Sequence, residues 1–248
     1  MSTRNRTVTN APNLPQVTEP GFLDRVEEAV GCPTGFDNDA NYALLGELHF
    51  GAAKASPNAA MLTIGYGLGA GLAIDGRILR GEHGLIGEFG QLPIGPFGSR
   101  LENMVTGSGI LRRAAEAGIE MDNPSAVFAD APEPALQRIR LQFDEAINVV
   151  LAALTVACDP QVIVIGGGIA ASLNTSLSRY AEALERNLGV SPRLVKADLG
   201  RYSGAAGALV AALHGVYGEL GVHEASILTL PNSPTPFTIG PNGKSHQH

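Results

Sequence analysis

Two short apolar segments, each followed at once by a cluster of glycines, constrain the fold of this chain more than any other feature. Ala60–Ile64 precedes the run Gly65–Gly71, and Val162–Ile165 precedes Gly166–Gly168. A short apolar run bounded by glycine is typical of a buried strand, and glycine after a strand lets the backbone turn tightly or approach a neighbour. Segments with helical periodicity surround both strands. Strands that alternate with helices predict an α/β layer fold.

The spacing of apolar residues and the turn residues predict the order of the elements. Helices are predicted at 21–30, from 40 to about 54, at 99–117, at 134–157, directly after residue 168 and at 204–213. A hairpin is predicted around Asp75-Gly76, and a last strand near 194–197. We expect an extended lead-in over residues 1–20, an α/β domain over 21–222 and a loose tail over 223–248.

The composition argues against several classes of function. The net charge is −7, and Lys and Arg are not clustered, so this segment is not expected to bind nucleic acid. No apolar run approaches the roughly 18 residues that suggest a membrane span, and residues 1–6 are too polar to begin a secretory signal. The two cysteines, Cys32 and Cys158, are far apart in sequence. We therefore expect free thiols and a cytoplasmic protein.

Asn38 and Asp39 stand at a predicted junction between a loop and a helix. A carboxylate at such a junction can accept a hydrogen bond from a substrate hydroxyl, and in a kinase it can orient or deprotonate that hydroxyl. The alternative is structural, because Asp39 can also cap the helix that begins at Ala40. The residue types alone leave both interpretations open.

The first glycine run alternates, with single residues between Gly65, Gly67, Gly69 and Gly71. Alternate glycines after a strand allow main-chain amides to approach a phosphate or a sugar. The run differs from a P-loop because no lysine follows it to meet a phosphate. A glycine-rich strand that packs closely against a neighbouring segment would carry the same pattern.

An irregular segment, residues 81–99, carries another group of polar candidates. Glu88 and Gln91 lie within it, and Glu102 follows shortly afterwards. Two carboxylates and an amide can hydrogen-bond several hydroxyls of one sugar. The alternatives are a solvated loop position for Glu88 and, for Glu102, a helix-capping box that begins at Ser99.

The second glycine run, Gly166-Gly167-Gly168, follows a strand and satisfies the loose dinucleotide pattern G-x-G-x-x-A. No acidic residue closes a further strand about 20 residues later, where a ribose partner is expected. The run could instead cradle an adenosine, or pack a helix against the strand.

The order of these four motifs is more specific than any one of them, and over residues 11–213 it resembles the ROK family (repressor, open reading frame, kinase). The resemblance implies an actin-like, hexokinase-type α/β fold with two lobes around a sugar cleft. It also implies that a hexose or a hexose derivative binds to a set of polar residues. These residues are Asn38, Asp39, Glu88, Gln91 and Glu102.

Further roles follow from the resemblance only if the chain is a kinase. Asp39 then matches the catalytic base, and ATP and Mg²⁺ are required. The glycines that match the nucleotide-binding positions are Gly65, Gly67, Gly166, Gly167 and Gly168.

The chain departs from the family pattern at the zinc site. Gln91 replaces the histidine of the family's Gly-Glu-x-Gly-His motif, and Arg100 falls at the position of its last cysteine. The other cysteines of that motif are missing between these two residues. Because a structural zinc ion requires about four such ligands, we expect no metal and no other resident cofactor.

Other departures bear on the choice between kinase and regulator. The family's kinases carry an Asp-x-Gly-Gly-Thr phosphate loop in a first lobe, which we expect to precede this chain. Tyr66 replaces the hydroxyl residue of their second glycine run, and the sequence there is more similar to the family's transcriptional regulators. Residues 11–14 resemble a segment of the same regulators. The expected fold is therefore mainly the second lobe with a remnant of the first.

For the function, the sequence favours the sugar-binding effector domain of a ROK transcriptional regulator, truncated or diverged and without zinc. A DNA-binding helix-turn-helix would then precede residue 1, and we expect a homodimer or a larger oligomer. An ATP-dependent hexose kinase and a non-catalytic scaffold are the two alternatives. An enzymatic activity is thus not the favoured expectation.

Overall fold

The computed structural model describes Val8 and residues 15–94, 99–129 and 133–219. The helices are α1 (Phe22–Val30), α2 (Asp39–Phe50), α3 (Glu102–Val105), α4 (Gly107–Glu116), α5 (Pro134–Cys158), α6 (Leu177–Leu188) and α7 (Ser203–Glu219). The strands are β1 (Ala59–Ile64), β2 (Leu68–Ile74), β3 (Arg77–Ile78), β4 (Pro93–Ile94), β5 (Ser99–Arg100), β6 (Val162–Gly166) and β7 (Arg193–Lys196). The chain up to Ala211 forms one compact unit, and a second unit begins at Ala212.

Five strands form the central sheet in the order β3-β2-β1-β6-β7. β1, β6 and β7 are parallel, while β2 and β3 form an antiparallel hairpin beside β1. Asp75 and Gly76 both have positive φ angles, 52° and 75°, as a two-residue hairpin turn requires. The predicted α/β class and the predicted hairpin are confirmed.

Both faces of the sheet are buried, because alternate residues of each strand point to opposite sides. On one face, Leu62 and Ile64 of β1 join Ile163 and Ile165 of β6 in a core cluster covered by α3 to α6. On the other face, residues that alternate with these, such as Met61 and Val164, pack with Leu44 of α2. Continuous burial explains why the β6 sequence is apolar at every position instead of alternating.

Two glycines allow α2 and α7 to pack backbone against backbone. A Cβ atom at Gly46 would overlap the carbonyl oxygen of Ser203, and one at Gly207 would overlap that of Tyr42. Larger residues would therefore separate the two helices. This contact fixes the start of α7 beside α2.

Several predicted boundaries differ from the structure. The helix predicted from 40 to about 54 ends at Phe50, and the helix predicted at 99–117 is two helices. The break lies at Thr106, which has an extended backbone conformation and accepts a hydrogen bond from Gly109 N at 3.1 Å, so it caps α4. Residues 1–7, 9–14 and 220–248 lie outside the described residues, so the 21–222 domain boundary and the tail (223–248) stay predictions. In the predicted lead-in (1–20), the described residues include a 3₁₀ turn, Pro15–Thr18, and the rest stays a prediction.

Within the described ranges, α5 is the one helix that is long and apolar enough to span a membrane by length and composition alone. Of its most apolar window, 44% is buried against the rest of the protein. Phe143, Ile147 and Leu154 contribute to this buried side. The burial is typical of the core helix of a layered domain.

Candidate sugar site and adjoining clefts

Asn38 and Asp39 occupy the start of α2. Asn38 is the N-cap, since its Oδ1 accepts a hydrogen bond from Ala40 N at 2.9 Å. The capping role considered for Asp39 therefore belongs to its neighbour. Asp39 Oδ1 also accepts from Ala40 N at 2.8 Å, whereas Oδ2 has no hydrogen-bond partner among the residues that the structure describes. The exposed Asp39 carboxylate keeps one oxygen available for a ligand.

Asp37, which the sequence analysis did not single out, holds this junction in place. Its side chain is only 6% exposed, and its Oδ2 accepts from Arg80 Nε and Nη2 at 2.8 and 2.5 Å. Its Oδ1 accepts from Asn38 N and Asn41 Nδ2, both at 2.8 Å. The pair Asp37–Arg80 thus orients the two candidate sugar ligands that follow. No local signal identifies it, because Arg80 lies 43 residues away in sequence.

Gly67 and Gly69 bring the beginning of β2 close to two carboxylates. A Cβ atom at Gly67 would lie 3.2 Å from Glu102 Oε1, and one at Gly69 would lie 3.8 Å from Asp39 Oδ1. The lack of side chains at these glycines leaves space between the two carboxylates. Asp39 and Glu102, which are 63 positions apart in sequence, therefore flank the same strand end.

Gly71 has a different role in the same run. A Cβ atom there would lie 2.6 Å from the carbonyl oxygen of Ala40 and 3.2 Å from Asn41 Cα. The close-packing alternative is therefore correct for Gly71, since the absence of a side chain lets the start of α2 rest on the sheet. This contact sets the distance between β2 and the start of α2, where Asn38 and Asp39 lie.

Glu88 is placed by the glycine that precedes it. Gly87 has a φ of +90°, and a Cβ atom there would overlap the carbonyl oxygen of Ala70. Gly87 O also accepts a hydrogen bond from Ala70 N at 3.1 Å, so the loop is fixed against β2. Burial raises the pKa of the half-buried Glu88, and the carboxylates of Glu102 and Asp39 raise it further. These carboxylates are thus close enough to interact electrostatically.

Glu102 is the first residue of α3, and the capping-box alternative for it is wrong. Ser99 lies in β5, and the N-cap of α3 is Leu101, which makes no side-chain cap hydrogen bond. The half-buried Glu102 side chain lies beside Gly67 instead. Its position favours the interpretation as a ligand for a hydroxyl group.

Gln91 and Arg100 form a hydrogen bond with each other. They stand at the positions where the family pattern has zinc ligands. Arg100 Nη1 donates to Gln91 Oε1 at 2.6 Å, and β5, which contains Arg100, pairs with β4. A guanidinium group at this place does not fit a zinc ion, which needs thiolate or imidazole donors. Among the described residues there is no group of three or more His, Cys, Asp or Glu that could hold a metal. Gln91 lies next to the loop of Glu88, but its Oε1 already accepts the hydrogen bond from Arg100.

The two glycine runs meet at the carboxyl ends of β1 and β6. Gly167 has a φ of +91°, and a Cβ atom there would overlap the carbonyl oxygen of Ile64. Gly65 and Gly168 line one cleft of about 640 Å³ together with Tyr66 and Ser108. Ligands of open α/β sheets bind at this end of parallel strands. The structure thus brings together Gly65 and Gly166–Gly168, while Gly67 lies on the side of Glu102.

The dinucleotide interpretation of Gly166–Gly168 lacks its main structural requirement. A 3₁₀ turn, Ala170–Ser176, follows the glycines, and α6 begins only at Leu177. A dinucleotide-binding turn places a pyrophosphate at the N-terminus of a helix that starts directly after the glycines. The helix predicted directly after residue 168 is therefore displaced, because the 3₁₀ turn first carries the chain over β6.

A second cleft, of about 540 Å³, lies on the other side of the same glycines. Its lining includes Asp39 and Thr63 and two cationic residues, Lys196 and Arg201. No sequence motif marks these two cations. The position of Lys196 at the carboxyl end of a parallel strand was the signal that could have found it.

Comparison with known proteins identifies the family of the chain. A family model described as "ROK family" matches residues 1–214. The chain belongs to the ROK family. The bifunctional enzyme NanE/NanK of Brucella melitensis is 38% identical over 187 residues, which are 74% of this chain and 36% of that enzyme. The chain thus spans little more than a third of the length of this relative.

Solved structures of ROK proteins confirm the actin-like, hexokinase-type fold. The ROK hexokinase of Thermus thermophilus has a TM-score of 0.73 and 35% identity, and the match covers 88% of this chain and 77% of that one. A ROK glucokinase of Streptomyces griseus, solved in complex with glucose and AMPPNP, has a TM-score of 0.67 and 27% identity over 82% of this chain and 75% of that one.

The transcriptional regulators of the family are also represented among the similar structures. A ROK regulator homologous to the MLC protein of E. coli has a TM-score of 0.68 and 24% identity, and the match covers 86% of this chain and 59% of that one. This likeness shows the shared fold alone. The sugar kinases are the better matched group, so the expectation of a regulator has less support than the kinase alternative.

Proposed function

We propose that this chain supplies the hexose site and the catalytic base of an ATP-dependent ROK sugar kinase. The observation that carries the proposal is the convergence of Asp39, Glu88 and Glu102 at the beginning of β2, around glycines that leave room for a ligand. The three carboxylates come from three separate segments of the chain. The kinases named above support the same reaction class.

In this proposal Asp39 acts on the hydroxyl that is phosphorylated. Its unpartnered oxygen accepts the hydrogen bond of that hydroxyl. It takes the proton as the hydroxyl oxygen attacks the γ-phosphorus of ATP, the bond from that phosphorus to the β–γ bridging oxygen breaks, and ADP leaves. Asn38 and the pair Asp37–Arg80 hold Asp39 at the start of α2. The base is thus positioned by a rigid helix start and not by a free loop.

Glu88 and Glu102 bind the remaining hydroxyls of the sugar. Each carboxylate offers two acceptor oxygens to neighbouring hydroxyls. The raised pKa of Glu88 extends to higher pH the range in which its carboxyl group is protonated and can donate a hydrogen bond. ATP enters as a second substrate beside the glycines of the 640 Å³ cleft.

The test is calorimetric titration of a hexose panel headed by glucose against the full chain and Asp39→Asn. We expect the change to weaken binding by about 1–3 kcal/mol, because a neutral amide replaces a charge-assisted acceptor. Thermal stability should change little, since Asn38 and not Asp39 caps α2. A coupled assay with ATP measures any turnover that depends on Asp39.

Asp75→Asn is the matched control, because it makes the same chemical change at the opposite end of β2. Asn-Gly is as well suited to the hairpin turn as Asp-Gly, so this variant should bind and melt like the parent protein. Equal sugar affinity in the parent protein and Asp39→Asn would disprove the assignment of the base.

A second candidate function is the sugar-binding domain of a ROK regulator, and Tyr66 favours it. Its side chain is 71% exposed at the glycine turn that ends β1, where kinases of the family are expected to carry a small hydroxyl residue. Sugar binding that Asp39→Asn weakens, without any turnover of ATP, would favour this candidate.

A further inference from the structure

One face of α5 is exposed along most of the helix and carries large apolar side chains. Leu141, Val149 and Val156 are 59%, 47% and 75% exposed. Because successive residues of an α-helix are rotated by about 100°, these three side chains lie within an arc of about 80°. We call this face the α5 stripe, and its other members are Arg138, Glu145 and Ala152.

The opposite side of α5 is packed into the protein, so the stripe is not the result of a loosely attached helix. Phe143, Ile147 and Leu154 on that side are fully buried. Exposure of three large apolar side chains in one row is unfavourable, and contiguous apolar patches mark interaction surfaces. A row on one helix fits a second helix, because the side-chain ridges of one helix pack into the grooves of the other.

The order of residues along the stripe is complementary to itself when the helix is reversed. Leu141 and Val156 are equally far from the middle of the stripe, which lies between positions 148 and 149, and so are Glu145 and Ala152. In an antiparallel pair of α5 helices with a two-fold axis at that point, Leu141 meets the partner's Val156. Glu145 meets the partner's Ala152, whose small side chain leaves room for the carboxylate to reach water.

The charges at the two ends of the stripe obey the same symmetry. Arg138 and Asp159, which is the C-cap of α5, are also equally far from the middle of the stripe, and both are exposed. Neither forms an ion pair within the described part of the chain. They are separated by 21 positions, or about 31 Å of helix, so one copy cannot pair them. Two antiparallel copies form the pair twice, whereas a parallel arrangement would place like charges together.

We infer that the α5 stripe binds the α5 stripe of a second copy of this chain, with the two helices antiparallel around a two-fold axis. The contact between two such stripes is about 30 Å long and 10 Å wide. This is less than the roughly 800 Å² that each partner buries in a standard interface, so we expect a dissociation constant in the micromolar range. The inference makes no use of the sugar site and is independent of the proposed function.

The first test is sedimentation equilibrium of the full chain over a range of concentrations, with Val156→Glu for comparison. We expect the variant to dimerise at least about tenfold more weakly, because it buries a carboxylate in an apolar contact. Val30→Glu is the matched control, since it makes the same change at a valine of α1 that is 59% exposed. This control should dimerise like the parent protein.

The second test reverses the charges at the ends of the stripe. Arg138→Glu and Asp159→Arg each place like charges opposite one another, so each variant alone should dimerise about tenfold more weakly. An equimolar mixture of the two variants restores both pairs of opposite charge. We therefore expect the mixture to dimerise about as tightly as the parent protein.

Each test has results that would contradict the inference. A chain that stays monomeric at every soluble concentration, or a dimer that Val156→Glu leaves unchanged, would overturn it. Variants at Arg138 and Asp159 that stay monomeric when mixed would overturn the antiparallel arrangement. If Val156→Glu lowers the melting temperature of the dilute monomer, another segment of the same chain covers the stripe, and the inference is wrong.

Discussion

Glu88 holds its carboxyl group half-buried beside the carboxylates of Asp39 and Glu102, and this raises its pKa. The folded state then retains the Glu88 proton to a higher pH than the unfolded chain does. Between the ordinary pKa of glutamate and the raised value, folding therefore binds a proton. The contribution of Glu88 to the free energy of unfolding is present below this window and is lost as pH rises through it.

Glu88→Gln removes this titration and keeps the shape of the side chain. We expect the variant to gain stability relative to the parent protein as the pH rises above the ordinary pKa of glutamate, about 4, because the parent then loses the contribution of the Glu88 proton. Urea unfolding at several pH values measures the difference between the two proteins. If that difference is independent of pH, Glu88 does not titrate with a raised pKa.

At the scale of elements, the loop that carries Glu88 is fixed to β2 by a glycine. Gly87→Ala introduces a side chain at a φ of +90° and directly against the carbonyl oxygen of Ala70. We expect a loss of about 2 kcal/mol or more, since backbone strain at such a φ adds to the overlap. Chemical denaturation and sugar titration of the variant measure the effects on stability and on the position of Glu88.

Gly118→Ala is the matched control, because Gly118 has a φ of +77° and nothing within 4 Å of the new Cβ atom. Its cost should be limited to the backbone strain, on the order of 1 kcal/mol. Equal losses in both variants would show that the contact between Gly87 and Ala70 does not hold the loop.

At the scale of the whole molecule, buried Glu47 joins segments that are about 150 residues apart. Glu47 is fully buried, with 0% of its surface exposed to solvent. Oε1 accepts from Leu199 N at 3.0 Å and from Ser203 Oγ at 2.7 Å, and Oε2 accepts from Ala52 N at 2.8 Å and from Asp198 N at 3.1 Å. The carboxylate thus fixes the turn between β7 and α7, which borders the 540 Å³ cleft, to the helix that begins with Asp39.

We expect Glu47→Ala to lower the free energy of unfolding by about 3 kcal/mol or more, since one buried donor, the Ser203 hydroxyl, and three partly buried main-chain donors lose their acceptor. Glu47→Gln should also destabilise, because its amide nitrogen would face donors and not acceptors. Glu182→Ala is the control, as its side chain is 70% exposed, and its effect should stay within about 0.5 kcal/mol. Equilibrium denaturation of the three variants tests this ranking.

Local sequence patterns were sufficient to predict the α/β class, the two strand-to-glycine junctions, the Asp-Gly hairpin and the candidate carboxylates. These features depend on local periodicity, on the φ angles that a turn requires and on the order of short motifs, all of which are written in neighbouring residues. The family resemblance followed from the same motif order, and the match over residues 1–214 confirms it.

The tertiary structure alone decided what each of these residues contacts. In the folded protein, Asn38 caps α2 and Gly71 packs against the start of the same helix. Gln91 accepts a hydrogen bond from Arg100. The fold also places Lys196 and Arg201 in the lining of the cleft of Asp39. The physical reason is that strand register and helix packing bring together side chains that are tens to more than a hundred residues apart, and no local pattern records which of them meet.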